Sequence, residues 1–444
     1  MKKRVLAGLL TALTTLSLFV GCSGGEEEEK PMDMVTEITE PVTIEMWHYL
    51  TGQQQDTLNE IIDDFNEVNE KQITVKAVPQ GSIADLNKKV IAASQSNTLP
   101  AIINVYPDLA TSLIESNKIV DLAPYIKDTT IGMEDDFNTD FIKSFTEEVM
   151  QWDANKIYGV PLTKSTEVLY VNKTLLEKLG YTVEDLNGAT MDKIAEISKK
   201  AKDELGIIGF GIDSPSNAFI SALKMNDTDF VALDSTINVD NDWVKEYMDF
   251  YKEQVEAGNF RTPGEDKFLS GVFSNQQLLA YQGSSAGAGF INTNDAFELA
   301  VVEVPMFDGK SQAVIQQGAS LFVTTDTTPE QKYASYEFIK FATSKENTAK
   351  FALETGYLPV RMSAADTDLI KNAIESGEGT LAKVFPVAQK SLDYAYYTPA
   401  VNNAQSARSV ASEKFDAYVS GSIKNIEDFV SELKSQVETS IQRQ

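Results

Sequence analysis

A chain of 444 residues is too long for one ordinary domain and long enough for two α/β lobes, each burying a core of its own. Acidic residues outnumber basic ones by 66 to 38, a formal charge of −28 that repels a phosphate backbone and excludes DNA and RNA as partners. One cysteine and one histidine are too few for an intramolecular disulfide, a thiolate cage or an ordinary zinc site, so neither metal nor cofactor is expected.

The chain opens with Lys2-Lys3-Arg4, an apolar run over 5–20, and Gly21-Cys22. That is the layout of a secretory signal peptide, and the run is shorter than the roughly 20 residues needed to span a bilayer. A cysteine just after such a run, behind a small residue, is similar to the bacterial lipobox, whose thiol receives a diacylglycerol before cleavage. Phe19 stands where that motif usually has leucine. The reading is a signal peptide over 1–21, lipid attachment at Cys22, and a flexible tether over 22–41 whose glutamates Glu26 to Glu29 repel one another.

Residues 43–47 alternate as a strand, and 56–69 carry Leu58, Ile61, Ile62, Phe65 and Val68 at helical spacing. A strand over 72–78, an amphipathic helix over 83–96 and a short apolar strand over 101–105 continue the rhythm, which implies a largely parallel sheet. A helix over 112–116 and a connector over 120–126 lead to two strands, 159–162 and 168–172, near which a second lobe begins. Helices follow over 191–204, 218–225 and 242–257, then strands over 278–281, 300–304 and 319–323. A helix over 329–344 has proline in its first turn, where the missing N–H costs nothing. The remainder reads as mostly helical, ending in an amphipathic helix over 426–442.

One motif imitates catalysis. Gly283-Ser284-Ser285-Ala286-Gly287 matches the G-x-S-x-G nucleophile elbow and follows a strand. That chemistry requires a histidine after the serine, and the single histidine, His48, lies far upstream. Asp234, Asp240 and Asp242 lack the glycine and distal glutamate of a calcium loop. Paired carboxylates for glycoside hydrolysis remain an alternative, since the fold and not the spacing sets their separation.

Other segments suit capture of a ligand. Trp47-His48-Tyr49 and Val105-Tyr106-Pro107-Asp108 each follow a strand, and Thr163-Lys164-Ser165-Thr166 lies between two. Aromatic faces stack on sugar C–H surfaces while carboxylates, hydroxyls and amides bind sugar hydroxyls, so Trp47 and Tyr49 are candidates for a polyhydroxylated solute. Trp47 reads equally well as core. Tyr357, between Gly356 and Leu358-Pro359, is expected at an exposed turn. Arg408, among small polar residues, has a guanidinium able to grip phosphate or carboxylate, or to make a surface ion pair.

From about Thr43 to the C-terminus the chain resembles ABC-transporter extracellular solute-binding proteins of the maltose and glycerol-3-phosphate group. The resemblance is carried by Ile44-Glu45-Met46-Trp47-His48, Leu99-Pro100-Ala101-Ile102, Val168-Leu169-Tyr170-Val171-Asn172-Lys173, Gln317-Gly318-Ala319-Ser320-Leu321 and Thr355-Gly356-Tyr357-Leu358-Pro359-Val360. It implies an α/β, two-lobed periplasmic-binding-protein-like fold (type II) with the ligand cleft between lobes joined by hinge crossings. Lobe 1 would comprise 42–163 plus 305–357 and lobe 2 164–304 plus 358–444, with crossings near 162–166, 301–306 and 357–360. By likeness to the glycerol-3-phosphate branch, Ser165, Ser284 or Ser285, Gly318, Tyr357 and Arg408 become ligand-binding candidates, and Asp108 takes the acidic position. Ile83 in place of a tyrosine, Gln317 in place of a glycine, and a 212–217 segment without tryptophans depart from that branch.

The resemblance implies a monomeric, non-enzymatic receptor that delivers a sugar, an oligosaccharide, or glycerol 3-phosphate or a glycerophosphodiester to ABC permease subunits. It would be held at the outer face of the bacterial membrane by the Cys22 lipid alone. A secreted lipoprotein glycoside hydrolase and a solute sensor without transport are the alternatives.

Overall fold

The computed structural model describes residues 34–442. The expected leader over 1–21, Cys22, and the tether as far as residue 33 lie outside the described residues, and 34–41 contain no helix or strand.

The strands are β1 Val42–His48, β2 Ile73–Pro79, β3 Ile102–Val105, β4 Gly159–Ser165, β5 Glu167–Asn172, β6 Ile208–Ile212, β7 Phe260–Arg261, β8 Leu278–Ser284, β9 Leu299–Val302, β10 Val314–Ile315, β11 Gln317–Val323 and β12 Ala395–Tyr396. They form two five-stranded sheets, β2-β1-β3-β11-β4 and β7-β6-β8-β5-β9, and a small β10-β12 pair. In the first sheet β1 runs parallel to β2 and β3, while β11 enters antiparallel between β3 and β4.

Alternation explains β1: Ile44, Met46 and His48 are buried while Thr43 and Glu45 face out. The Gln53–Val68 helix buries Leu58, Ile61, Ile62 and Phe65 on one stripe, but Val68, expected on that stripe, is 61% exposed at the helix end. Phe65 meets Phe338 edge-on at 5.4 Å, so the first helix packs with the Pro329–Ala342 helix from far along the chain. Ser82 and Asp85 cap the Ile83–Ser96 helix reciprocally, an arrangement worth about 1 kcal/mol.

Each sheet has its own core. Leu86, Val90, Ile103, Val105, Leu113 and Phe322 cluster on the first. The second core joins Leu169, Phe210 and Phe219 to Phe415, Phe429 and Val437, so the C-terminal helices Ala404–Val419 and Ile426–Gln442 belong with the second sheet.

The chain passes from the first sheet to the second between Ser165 and Glu167. Its return was expected near 301–306. In fact β9 is an edge strand of the second sheet, Phe307 still packs on Trp243 at 5.0 Å, and the first sheet resumes only at Gln317. The last departure also falls later than 357–360: Arg361 is tied to Asp136 at 2.7 Å, and Ser363 donates to Asp140, both beside the first sheet's segments. The Gly379–Ser391 helix then packs on β5 and β9.

Candidate functional site

The carboxyl ends of β1, β3 and β4 and the amino end of β11 converge on one edge of the first sheet, where open α/β sheets hold their ligands. The residues just beyond those strand ends are the chemically varied ones. Tyr49 Oη lies 3.2 Å from Thr163 Oγ1 and 3.3 Å from Tyr357 Oη, and its ring is 6.2 Å from that of Tyr106. Burial pushes all three phenols above their ordinary range, so they act as neutral hydroxyls.

Tyr357 is 7% exposed, not at an exposed turn. Gly356 closes the Lys345–Thr355 helix at φ 78°, which turns the next side chain inward to stack on Phe351 at 5.6 Å. The Leu358 N–H then bonds to Lys164 O at 2.6 Å.

Gly318 faces the same space with φ +107°, and a Cβ there would stand 1.8 Å from Thr163 O. Only glycine permits β11 to come so close to β4. Below it Lys164, fully buried, forms an ion pair with Glu148 and donates to Gly318 O at 3.3 Å.

Across the crossing, Glu167 is 1% exposed and accepts from Asn217 Nδ2 at 2.8 Å and Gln282 Nε2 at 2.7 Å. Desolvation raises its pKa, and the two amides pull it back. Asn217 Oδ1 in turn accepts from the Arg408 guanidinium. Nearby, at the end of β6, Asp213 accepts the Leu269 N–H at 2.6 Å, and burial pushes its pKa to about 6.

Beside these groups runs a narrow cleft. Tyr106, Asp108, Glu148, Gln317, Gly318, Gln405 and Arg408 are among its lining residues. Asp108 lies in the first turn of the Pro107–Glu115 helix, and burial raises its carboxyl pKa while Arg408 opposes the shift. Gln317 Nε2, Gln316 Oε1 and Asn104 Nδ2 are buried without a hydrogen-bond partner. Buried polar atoms of this kind are completed by water or ligand.

Of the residues singled out from the sequence, Tyr49, Asp108, Gly318, Tyr357 and Arg408 thus lie at or beside this cleft. Ser165 and Ser284 sit at the crossing itself, where Ser284 Oγ donates to Ser165 Oγ at 3.2 Å. Two are turned away. Trp47 packs half-buried on the first core, on the opposite face of β1 from Ile44, Met46 and His48. Ser285 is fully buried, with its N–H on Thr166 O at 2.8 Å and its Oγ accepting from Thr166 N, so it presents no nucleophile to solvent.

Sequence reasoning did not single out Glu148, Glu167, Asn217, Asp213 or Gln405. A signal existed for two charges: Lys164 and Glu167 interrupt an otherwise uncharged run, and a charge placed in a strand core needs a buried partner. No cluster of metal-ligating side chains occurs among the described residues, and no described helix is long and apolar enough to cross a membrane.

The sequence pattern of the bacterial extracellular solute-binding protein family matches residues 60–377, well over half the chain. The chain belongs to that family. This solute-binding protein is 24% identical over 392 residues to the sn-glycerol-3-phosphate-binding periplasmic protein UgpB of Rhizobium meliloti (strain 1021), covering 85% of this chain and 89% of that one. Its fold matches the cyclic alpha-maltosyl-1,6-maltose binding protein from Arthrobacter globiformis with a TM-score of 0.74 at 20% identity, over 91% of this chain and all of the other. It matches UgpB from Mycobacterium tuberculosis in complex with glycerophosphocholine with a TM-score of 0.76 at 18% identity, over 91% and 99%. The two-sheet architecture is therefore the bilobed, type II periplasmic-binding-protein-like fold. The protein is an ABC-transporter-type extracytoplasmic receptor for a small molecule, working with a permease, and not an enzyme.

Proposed function

We propose that the receptor captures a carbohydrate-type solute in the cleft between its lobes, a sugar, an oligosaccharide or a glycerol phosphate ester, and releases it to the permease. The observation that carries this is the meeting, at one sheet edge, of the Tyr49 and Tyr106 rings with the Asp108 carboxylate, Arg408, and the unpartnered amide of Gln317. Aromatic faces, acceptors and amide donors side by side are what a polyhydroxylated solute needs. Relatives named for sn-glycerol 3-phosphate and a neighbour named for a cyclic maltosyl-maltose support the same solute range.

In this reading one lobe comprises 42–165 and 317–367 and the other 167–315 and 379–442, and closure about the Ser165–Ser284 crossing traps the solute. The binding set is Tyr49, Tyr106, Asp108, Gln317, Gly318, Tyr357 and Arg408. Cys22 receives the lipid that holds the receptor at the outer face of the membrane, within reach of the permease.

A thermal-unfolding panel of the mature chain with maltooligosaccharides, other sugars, glycerol 3-phosphate and glycerophosphodiesters tests the reading. A solute at about 100 times its Kd adds about 2.7 kcal/mol to stability and a matching rise in Tm. No rise with any member of the panel removes the carbohydrate reading. Mass spectrometry of Cys22 from membranes reads the lipid.

A further inference from the structure

The Pro107–Glu115 helix has two distinct faces. Leu109, Ala110 and Leu113 are buried in the first core, so the helix belongs with the first sheet. Asp108, Thr111 and Glu115, spaced three and four residues apart, fall together on another face. All three bond to one stretch of the second lobe. Asp108 Oδ2 accepts the Gln405 N–H at 2.8 Å, and Glu115 Oε2 accepts from Asn402 Nδ2 at 2.7 Å. Thr111 Oγ1 shares its proton between Pro107 O and Ala400 O, at 3.0 and 3.2 Å, and is oriented by the Trp152 indole N–H at 3.0 Å. Gln151, just after the Lys143–Val149 helix, adds a fourth bond: its Oε1 accepts the Ala400 N–H at 2.7 Å.

That stretch is held as firmly by the other sheet. It runs from β12, which pairs with β10, into the Ala404–Val419 helix, and Val401 and Ala407 are buried in the second core. The strap thus belongs to the second lobe by its buried side chains and reaches the first lobe through hydrogen bonds. It is not one of the chain's passages between the sheets, so nothing covalent ties the lobes at this place. Thr398, Pro399 and Ala400 of the strap also form part of the cleft wall. Parting the lobes here breaks all four bonds, and each hydrogen bond made only in the closed form shifts the open–closed balance about fivefold towards closure.

Resting on the reading of this cleft as the ligand site, we infer that the 399–405 strap and the polar face of the Pro107–Glu115 helix form a latch that keeps the ligand-free lobes closed at this end and sets part of the solute's affinity. The latch holds in place a wall of the cleft, so a captured solute leaves only after the same bonds part. Breaking it at residues outside the cleft weakens capture without removing any solute contact, because a smaller fraction of the receptor is in the closed form.

The test compares wild type, the double variant Glu115→Ala with Gln151→Ala, and Glu115→Gln, which keeps an acceptor for Asn402. Neither altered residue lines the cleft. Small-angle X-ray scattering of the ligand-free mature protein is expected to give a larger radius of gyration for the double variant and the wild-type value for Glu115→Gln. With the solute that raises Tm most, the double variant is expected to bind at least about fivefold more weakly, through faster release. A cooperatively unfolding double variant that scatters as wild type does, one that expands yet keeps wild-type affinity, or a Glu115→Gln variant as expanded as the double would each overturn the inference. Scattering needs no solute, so a panel without any binder removes the carbohydrate reading and leaves the latch to stand or fall on its own measurement.

Discussion

Lys164 Nζ and the Glu148 carboxylate form a buried ion pair beside the crossing between the two sheets, with side-chain exposures of 0% and 6%. The pair joins β4 to the Lys143–Val149 helix and backs the Gly318 carbonyl at the cleft. Removing one partner leaves an uncompensated buried charge, which costs about 3–5 kcal/mol. Lys164→Met should therefore lower urea-unfolding stability by that order, and Lys164→Met with Glu148→Leu should recover much of the loss. A double variant as unstable as the single would show that the two do not act as a pair.

Gly318→Ala places a methyl 1.8 Å from Thr163 O in a backbone with φ +107°. Strain and displacement of β11 from β4 should cost at least about 2 kcal/mol. Thermal unfolding measures it; a Tm within experimental error of wild type would mean that β11 does not approach β4 as described.

Tyr49→Phe removes the hydroxyl that meets both Thr163 and Tyr357, at a cost of about 1 kcal/mol, while keeping the ring. The same loss should follow from Tyr357→Phe, and the two together should lose less than the sum because they share one contact. A strictly additive pair in urea denaturation would argue against a shared hydroxyl network.

Two buried groups give opposing pH dependences. His48 is fully buried in β1 with neither ring nitrogen partnered, and its pKa is lowered to about 4 by desolvation. The unfolded chain binds its proton first, so the stability associated with neutral His48 is lost as pH falls from about 6.5 towards 4. Asp213, raised by burial to about 6, does the reverse: the folded chain takes up the proton first, so stability rises as pH falls from about 6 towards 4. Each contribution is at most about 3.5 kcal/mol, at about 1.4 kcal/mol per unit. Relative to wild type, His48→Leu should gain stability between pH 6.5 and 4.5, whereas Asp213→Asn should lose it more steeply. Parallel stability–pH curves for all three proteins would contradict both assignments.

Much of the scaffold was legible because burial leaves a periodic trace. The alternation in β1 and the 3.6-residue stripe of the Ile426–Gln442 helix mark elements that each cover one face of a core. β6 was missed because Gly209 and Gly211 break its apolar run, and the Glu134–Thr139 and Lys143–Val149 helices because they are too short for a period to declare itself. The site was only half legible. Tyr49, Asp108, Tyr357 and Arg408 all stood out locally, but their partners did not, since Tyr357 meets a tyrosine 308 residues away in sequence and Arg408 meets Asn217 across 191. For Trp47 the sequence left core and cleft equally open, because a strand period does not say which face of the sheet is which, and Ser285 lies in a short helix where no strand period applies.

The central claim, that a solute is held between the lobes by the residues at these strand ends, is tested most directly by titration calorimetry with the solute that raises Tm most in the thermal panel. The account predicts saturable binding at one solute per chain, at least tenfold weaker in Tyr106→Ala and in Gln317→Ala, and unchanged in Tyr181→Ala, which alters a residue outside the cleft lining. Equal affinity in all four proteins, each unfolding cooperatively, would contradict it.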